Sequence, residues 1–321
     1  MNILFALKKA GLALILFMLT TLATSSTYQV TLSENHNVGD QFMKIRLHGT
    51  LLLPNDNVGW FKASELSDLA WDEDEQILYA ISDHGTLFYL QPVIQNNTLM
   101  NVNFVKGIGL KRKGDKKRRK WDIEGLDILN GNNGVKGDSE LVISFERKAR
   151  IARFSTQGIL LEEYPLPKAL SKEKYYSGSN HMLEAVIVHP TLGILTAPEQ
   201  PFKGNEEIIV IHALDGQEWK FPCHPAKNSA VVALETLDDG TLLVLERAYS
   251  SEIEPIIISL RQFNLKTMEV TQLAEFDNTK GWNIDNFEGL AHHHDNYFFM
   301  VSDNNDNPLQ KSLLTYFEVL P

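Results

Sequence analysis

Five segments of this chain repeat one pattern, and that repetition constrains the fold more than any other feature. They begin Leu66-Ser67-Asp68-Leu69-Ala70, Ile123-Glu124-Gly125-Leu126-Asp127, Leu183-Glu184-Ala185-Val186, Leu234-Glu235-Thr236-Leu237 and Phe287-Glu288-Gly289-Leu290-Ala291. Counted from the second residue of each, the spacings are 57, 60, 51 and 53. Each start is followed by a turn and an apolar strand ending in an acid: Asp83, Glu146, Glu199, Glu246 and Asp303. A third strand follows in every unit (Thr86–Leu90, Arg150–Ser155, Glu207–Ala213, Pro255–Asn264, Ser312–Leu320). A fourth follows in the first four (Leu99–Val105, Ile159–Tyr164, Glu218–Cys223, Glu269–Phe276).

These strands are rich in β-branched and aromatic residues, with turn signals such as Asp238-Asp239-Gly240 and Asp295-Asn296 between them. No window carries a long 3.6-residue apolar period with caps, so almost no helix is expected. Four strands per unit of about 50 residues is the pattern of a propeller blade. The fold expected is therefore all-β, a single propeller of five four-stranded blades, with six as the alternative count. The fifth unit lacks a fourth strand. The apolar stretch Phe42–Leu53 precedes the first unit and is predicted to complete the last blade, closing the ring and covering its free edges.

Residues 1–26 read as a separate segment. Lys8 and Lys9 precede an uncharged run, Ala10 to Ala23, and then small polar residues, as in a signal peptide that is removed on export. The run is short for a membrane span, which needs about 20 residues; an uncleaved anchor is the alternative. The expected mature domain is 27–321, exported to a periplasmic or extracellular space, with no membrane span and a monomeric state. The formal net charge of −11 argues against a nucleic-acid partner and fits a chain that binds cations. Cys223 is the single cysteine, so no intrachain disulfide forms, and a buried structural thiol is expected.

An antiparallel hairpin places the start of one strand beside the end of the next. The separations between the paired polar residues of each unit are 16, 22, 15, 11 and 15 residues, all compatible with hairpins. Each blade should therefore deliver two polar groups to one rim, giving a ring of Ser67, Asp83, Glu124, Glu146, Glu184, Glu199, Glu235, Glu246, Glu288 and Asp303. So many carboxylates share a confined site only if some stay protonated, pair with arginine or hold a cation. Asp83, Glu146, Glu184, Glu199, Glu246 and Asp303, with the carbonyl of Asn304, are the expected oxygen ligands of Ca²⁺, which takes six to eight.

Two functions follow from such a ring. In a metal-dependent hydrolase, Glu124, Glu288 and Glu235 are the expected acid–base groups, and His84, next to Asp83, is a candidate for proton transfer. Arg147 and Arg247 would steady an anionic substrate, as would the basic run Lys111 to Lys120 with Lys117 and Arg118. That run also reads as a solvated loop. In a binding module, the same acids hold Ca²⁺ for stability and the rim recognises an envelope ligand or partner without turnover. No Gly-x-Ser-x-Gly elbow, phosphate-cradling glycine loop or Cys/His zinc spacing is present. His292-His293-His294 falls at the far end of its hairpin from the acidic rim and is expected to be structural.

The segments Asp122-Ile123-Glu124-Gly125-Leu126, Asn286-Phe287-Glu288-Gly289-Leu290 and Val301-Ser302-Asp303-Asn304 resemble the phytase-like family, also called esterase-like activity of phytase. Ser67-Asp68-Leu69-Ala70, Tyr79-Ala80-Ile81-Ser82-Asp83 and Phe145-Glu146-Arg147 extend the resemblance over roughly residues 60 to 320. It implies a propeller, an exported location and hydrolysis of a phosphoester or ester. Two departures stand out: Asp68 where a glycine is expected, and Ala185-Val186 in place of Gly-Leu.

Overall fold

Each repeat folds as a four-stranded antiparallel sheet, and the five sheets stand around one axis. The computed structural model describes residues 27–112, 121–249 and 254–321. The first blade runs Leu66–Asp72, Ile77–Ser82, Thr86–Gln95 and Thr98–Gly109, from the axis outward. The second is Ile123–Leu129, Glu140–Phe145, Arg150–Ser155 and Leu160–Tyr164. The third is Leu183–His189, Gly193–Pro198, Ile208–Ala213 and Glu218–Pro222. The fourth is Ser229–Thr236, Leu242–Ala248, Ile257–Phe263 and Val270–Asp277. Among the described residues the only helical segments are two 3₁₀ turns, Glu173–Tyr175 and Asn278–Lys280.

The fifth blade takes Asn286–His294, Tyr297–Asp303 and Leu313–Val319 from the C-terminal end. Its fourth strand is Ile45–Leu52, paired antiparallel with Leu313–Val319, and Tyr28–Val30 adds a short strand beyond it. The ring has five blades and closes with an N-terminal strand in the last one, as the repeats predicted. This closure puts both described ends of the chain in one sheet and removes the free edges of an open array.

Alternating strand residues face the neighbouring blades, so the core divides into five clusters, one in each interblade gap. Phe145 and Phe154 of the second blade, for example, are fully buried with Trp121 against Leu87 and Tyr89 of the first. The innermost strands contact one another in cyclic order. Their backbone groups are joined across the gaps by buried carboxylates. Asp68 Oδ2 accepts from Leu126 N in the second blade at 2.7 Å, and Oδ1 accepts from Leu290 N in the fifth at 2.9 Å. Asp127 accepts from Val188 N at 2.5 Å. The departure at Asp68 thus has a structural reason: one carboxylate ties three blades together. Gly289 packs against it so closely that a Cβ there would lie 2.6 Å from Asp68 Cα.

Candidate functional site

Every innermost strand carries a β-bulge at the same level. The register shifts fall between Leu66 and Asp68, Ile123 and Leu126, Leu183 and Ala185, Val231 and Ala233, and Phe287 and Gly289. A bulge leaves a residue unpaired and re-aims its side chain. The unpaired positions include Ser67, Glu124, Glu184, Val232 and Glu288. The residue before each bulge pairs with the one that precedes Asp83, Glu146, Glu199, Arg247 or Asp303 on the second strand. Nine of these ten side chains line one axial mouth of about 220 Å³; the exception is Val232, and Asn305 adds to the rim.

The fourth blade departs from the sequence expectation. Its inner strand begins at Ser229, upstream of the Leu234-Glu235 segment that resembles the other starts. The position equivalent to Glu124 is therefore Val232, and the position equivalent to Glu146 is Arg247. Neither Glu235 nor Glu246 reaches this mouth. Glu235 lies three residues along the strand, about 10 Å at the usual rise. There Oε2 accepts from His292 N at 2.9 Å and Oε1 from Thr236 N at 2.8 Å, so it ties the fourth blade to the fifth. Glu246 faces the other way, because adjacent strand residues point to opposite faces. It is paired with Arg261 and accepts from His224 N at 3.0 Å inside the blade. One signal of this register was present: the separation from Glu235 to Glu246 is 11 residues, whereas Val232 to Arg247 spans 15, like two of the other hairpins.

Seven carboxylates and one guanidinium therefore share the mouth. Arg247 donates to Asn286 Oδ1 at 2.6 Å, to Glu288 Oε1, and to Glu199 Oε1 at 3.2 Å. Asn286 Nδ2 also donates to Glu288 at 2.9 Å, and Asp303 Oδ1 accepts from Asn305 N at 2.7 Å. The acids near the fourth and fifth blades are thus held by partners. Toward the second and third blades, no hydrogen bond or ion pair among the described residues reaches the carboxylates of Glu124, Glu146 or Glu184, and Glu184 is 6% exposed. Burial, then Glu288 and Glu146, pushes Glu124 well above the usual carboxylate range. Burial, then Glu199 and Glu124, does the same to Glu184. Glu146 is less buried and is raised to about 7, by burial first and then Glu199.

Two histidines stand at the rim. His84 is half exposed, with Nδ1 3.1 Å from Asp83 Oδ2 and Nε2 3.5 Å from Glu65 Oε2. His181 Nδ1 contacts Glu199 Oε2. The groups Glu65–Asp83–His84 and Glu146–His181–Glu199 each bring three potential ligand atoms within 4.8 Å of one another. Glu65 was not marked by the repeats, although it immediately precedes the first one. Asn304 Oδ1 accepts from Glu65 N at 3.0 Å and Asp306 N at 3.2 Å, so this oxygen braces a loop. Arg147 sits outside the ring with Nη1 3.7 Å from Asp122. Lys117 and Arg118 lie outside the described residues.

The other end of the axis is a separate opening, lined by Asp127, Glu235, Asp238 and His292 among others. Asp127 is raised to about 8 by burial and then by Glu235, and Glu235 to about 7 by burial. His293, in the three-histidine run, packs edge-on to Trp71, bonds Tyr316 at 2.8 Å and is held neutral by burial.

The phytase-like family, described as esterase-like activity of phytase, matches residues 62–306. No curated protein matches the chain. Among solved structures, the Cps50 (Swd1) β-propeller domain of Myceliophteria thermophila is 11% identical, covering 92% of this chain and 99% of that one, with a TM-score of 0.41. The extracellular domain of a putative one component system from B. thetaiotaomicron is 12% identical, covering 84% of this chain and 30% of that one, also at 0.41. The tail fiber of Staphylococcus aureus phage P68 is 10% identical over 90% of this chain and 55% of that one, at 0.44.

Proposed function

The chain belongs to the phytase-like family, and on that premise we propose that it is an exported, metal-dependent hydrolase of phosphoesters or esters acting at the acidic axial mouth. The observation that carries this reading is the set of carboxylates without partners at one mouth, Glu184 buried and Glu124 and Glu146 half-buried. A charged group removed from water and left unpaired is costly, and sites that tolerate it are commonly functional. Glu124, Glu146 and Glu184 offer hard oxygens suited to Ca²⁺. Glu146 and Glu199, whose ligand atoms lie with that of His181 within 4.8 Å of one another, would hold the cation with Glu124 and Glu184 beside them, and its charge when bound would polarise a phosphoryl or ester oxygen.

The remaining chemistry belongs to the chain's own groups. His181, against Glu199, and His84, against Asp83, offer exchangeable protons at the two sides of the mouth. Arg247 is bonded to Glu199 and Glu288; it orients those two carboxylates and offsets part of their charge. Arg147, 60% exposed at the side chain, is the arginine open to an incoming anion.

A second reading is a Ca²⁺-stabilised binding propeller without turnover. It is favoured by the partners already satisfying Glu199, Glu288 and Asp303, which leave only one side of the mouth for chemistry. Hydrolysis of phytate and of a nitrophenyl ester separates the two. The enzyme reading expects turnover lost with EDTA, restored by Ca²⁺, and reduced at least a hundredfold in Glu146→Gln. Turnover unaffected by EDTA, or absent across a substrate panel, overturns it.

A further inference from the structure

A cavity of about 750 Å³ on the flank of the third blade has a different character from the axial mouth. Its wall is one face of the outer hairpin: His212 pairs with Glu218, and Val210 with Lys220. The opposite wall comes from the connection that enters the third blade, with Lys168, Ala169, Lys174 and Tyr175, and from the loop carrying Phe202 and Lys203. Four lysines thus converge on one concavity of a protein whose net charge is −11. Among the described residues, none of their ammonium groups has a carboxylate within ion-pair distance. The one acid in the lining, Glu218, lies 3.3 Å from His212 Nδ1.

The floor adds two observations. Ala169, Phe202 and Val210 make it apolar, so charges at its edge act through a medium less screening than water. His212, 1% exposed, packs at a tilt against Phe202 and has an Nε2 with no hydrogen-bond partner among the described residues. Nδ1 lies 3.3 Å from Glu218 Oε1, and Nε2 is the ring nitrogen left without a partner. A buried polar atom without a partner calls for an explanation, and a hydrogen bond to a ligand supplies one.

We propose that this cavity binds a small organic phosphate monoester: the lysines Lys168, Lys174, Lys203 and Lys220 hold the phosphate, the apolar floor takes the organic group, and His212 Nε2 forms a hydrogen bond with the ligand. The site is independent of the axial chemistry. Multiple point charges on flexible stems suit phosphate, and a floor of Phe202 and Val210 favours a ring or alkyl group over the bare anion.

The test is calorimetric titration of the whole protein with phenylphosphonate, whose carbon–phosphorus bond resists hydrolysis at the axial mouth. Saturable binding is expected in low salt, at least tenfold tighter than inorganic phosphate and weakened in 0.5 M salt as charge screening requires (~4 Å Debye length). The His212 ring resonances should shift on titration. The triple substitution Lys174→Gln, Lys203→Gln and Lys220→Gln, all at exposed positions, should weaken binding at least tenfold, while Glu288→Gln in the axial mouth leaves it unchanged. No binding at millimolar ligand, equal affinity for inorganic phosphate, or wild-type affinity in the triple variant overturns the proposal.

Discussion

Arg247 donates from Nη2 to Glu199 Oε1 at 3.2 Å, and it does so from the strand position that is acidic in the other four blades. A single blade thereby makes the mouth asymmetric. Glu199 and Glu288 are bonded to the guanidinium, whereas Glu124, Glu146 and Glu184 have no hydrogen-bond or ion-pair partner among the described residues.

Replacing Arg247 by Met should destabilise the metal-free protein by about 3 kcal/mol, because removing one partner of a buried pair leaves the other charge uncompensated. Urea unfolding in EDTA measures this. If the mouth holds a cation, millimolar Ca²⁺ should recover most of the loss, because the two released carboxylates become ligands.

Glu184→Gln should act in the opposite direction. Its carboxylate is buried with no partner, so neutralising it is expected to raise the melting temperature in EDTA at pH 8. The same change should cut the stabilisation by Ca²⁺. A variant less stable than the parent in EDTA, with Ca²⁺ stabilisation intact, would place the residue in a purely structural role.

Stability of the metal-free protein should fall as pH rises from about 5 to about 8. Glu146 and Glu235 are raised to about 7 and Asp127 to about 8. An acid with a raised folded-state pKa contributes stability that is full below its unfolded value and lost as pH rises through the folded one. Thermal melts in EDTA across this range check the sign, and added Ca²⁺ should flatten the decline. A melting temperature that climbs from pH 5 to 8 in EDTA contradicts it.

Asp68→Ala should cost more than a typical surface change. It leaves the N–H groups of Leu126 and Leu290 without their acceptor, at about 1–3 kcal/mol for each buried donor. Glu235→Ala removes the corresponding tie to His292 N and should cost about one such increment, without altering Ca²⁺ stabilisation. Urea midpoints for both variants, with and without Ca²⁺, test the separation of ties from mouth.

Much of this molecule was legible before any coordinates. The repeat of about 50 residues predicted five blades, and the missing fourth strand of the last unit pointed to Phe42–Leu53, where Ile45–Leu52 now pairs with Leu313–Val319. In four blades the second residue of each start and the acid ending the next strand meet as hairpin geometry requires. The fourth blade departs from this pattern because Leu234-Glu235 looks like Leu183-Glu184 while its bulge falls at Val232, and local likeness carries no information on register.

The linear chain determined the periodicity, the strand content and the excess of acids destined for one end of the axis, because these depend on side-chain pattern and turn chemistry alone. Tertiary structure decided which acids face each other. A strand repeats every two residues, so a shift of one exchanges Glu246 for Arg247, and only pairing with neighbouring strands and blades selects between them. The cavity of the third blade was equally hidden, since Lys168 and Lys174, Lys203, and Lys220 come from three separate stretches of the chain and gather only when connection, loop and hairpin pack together.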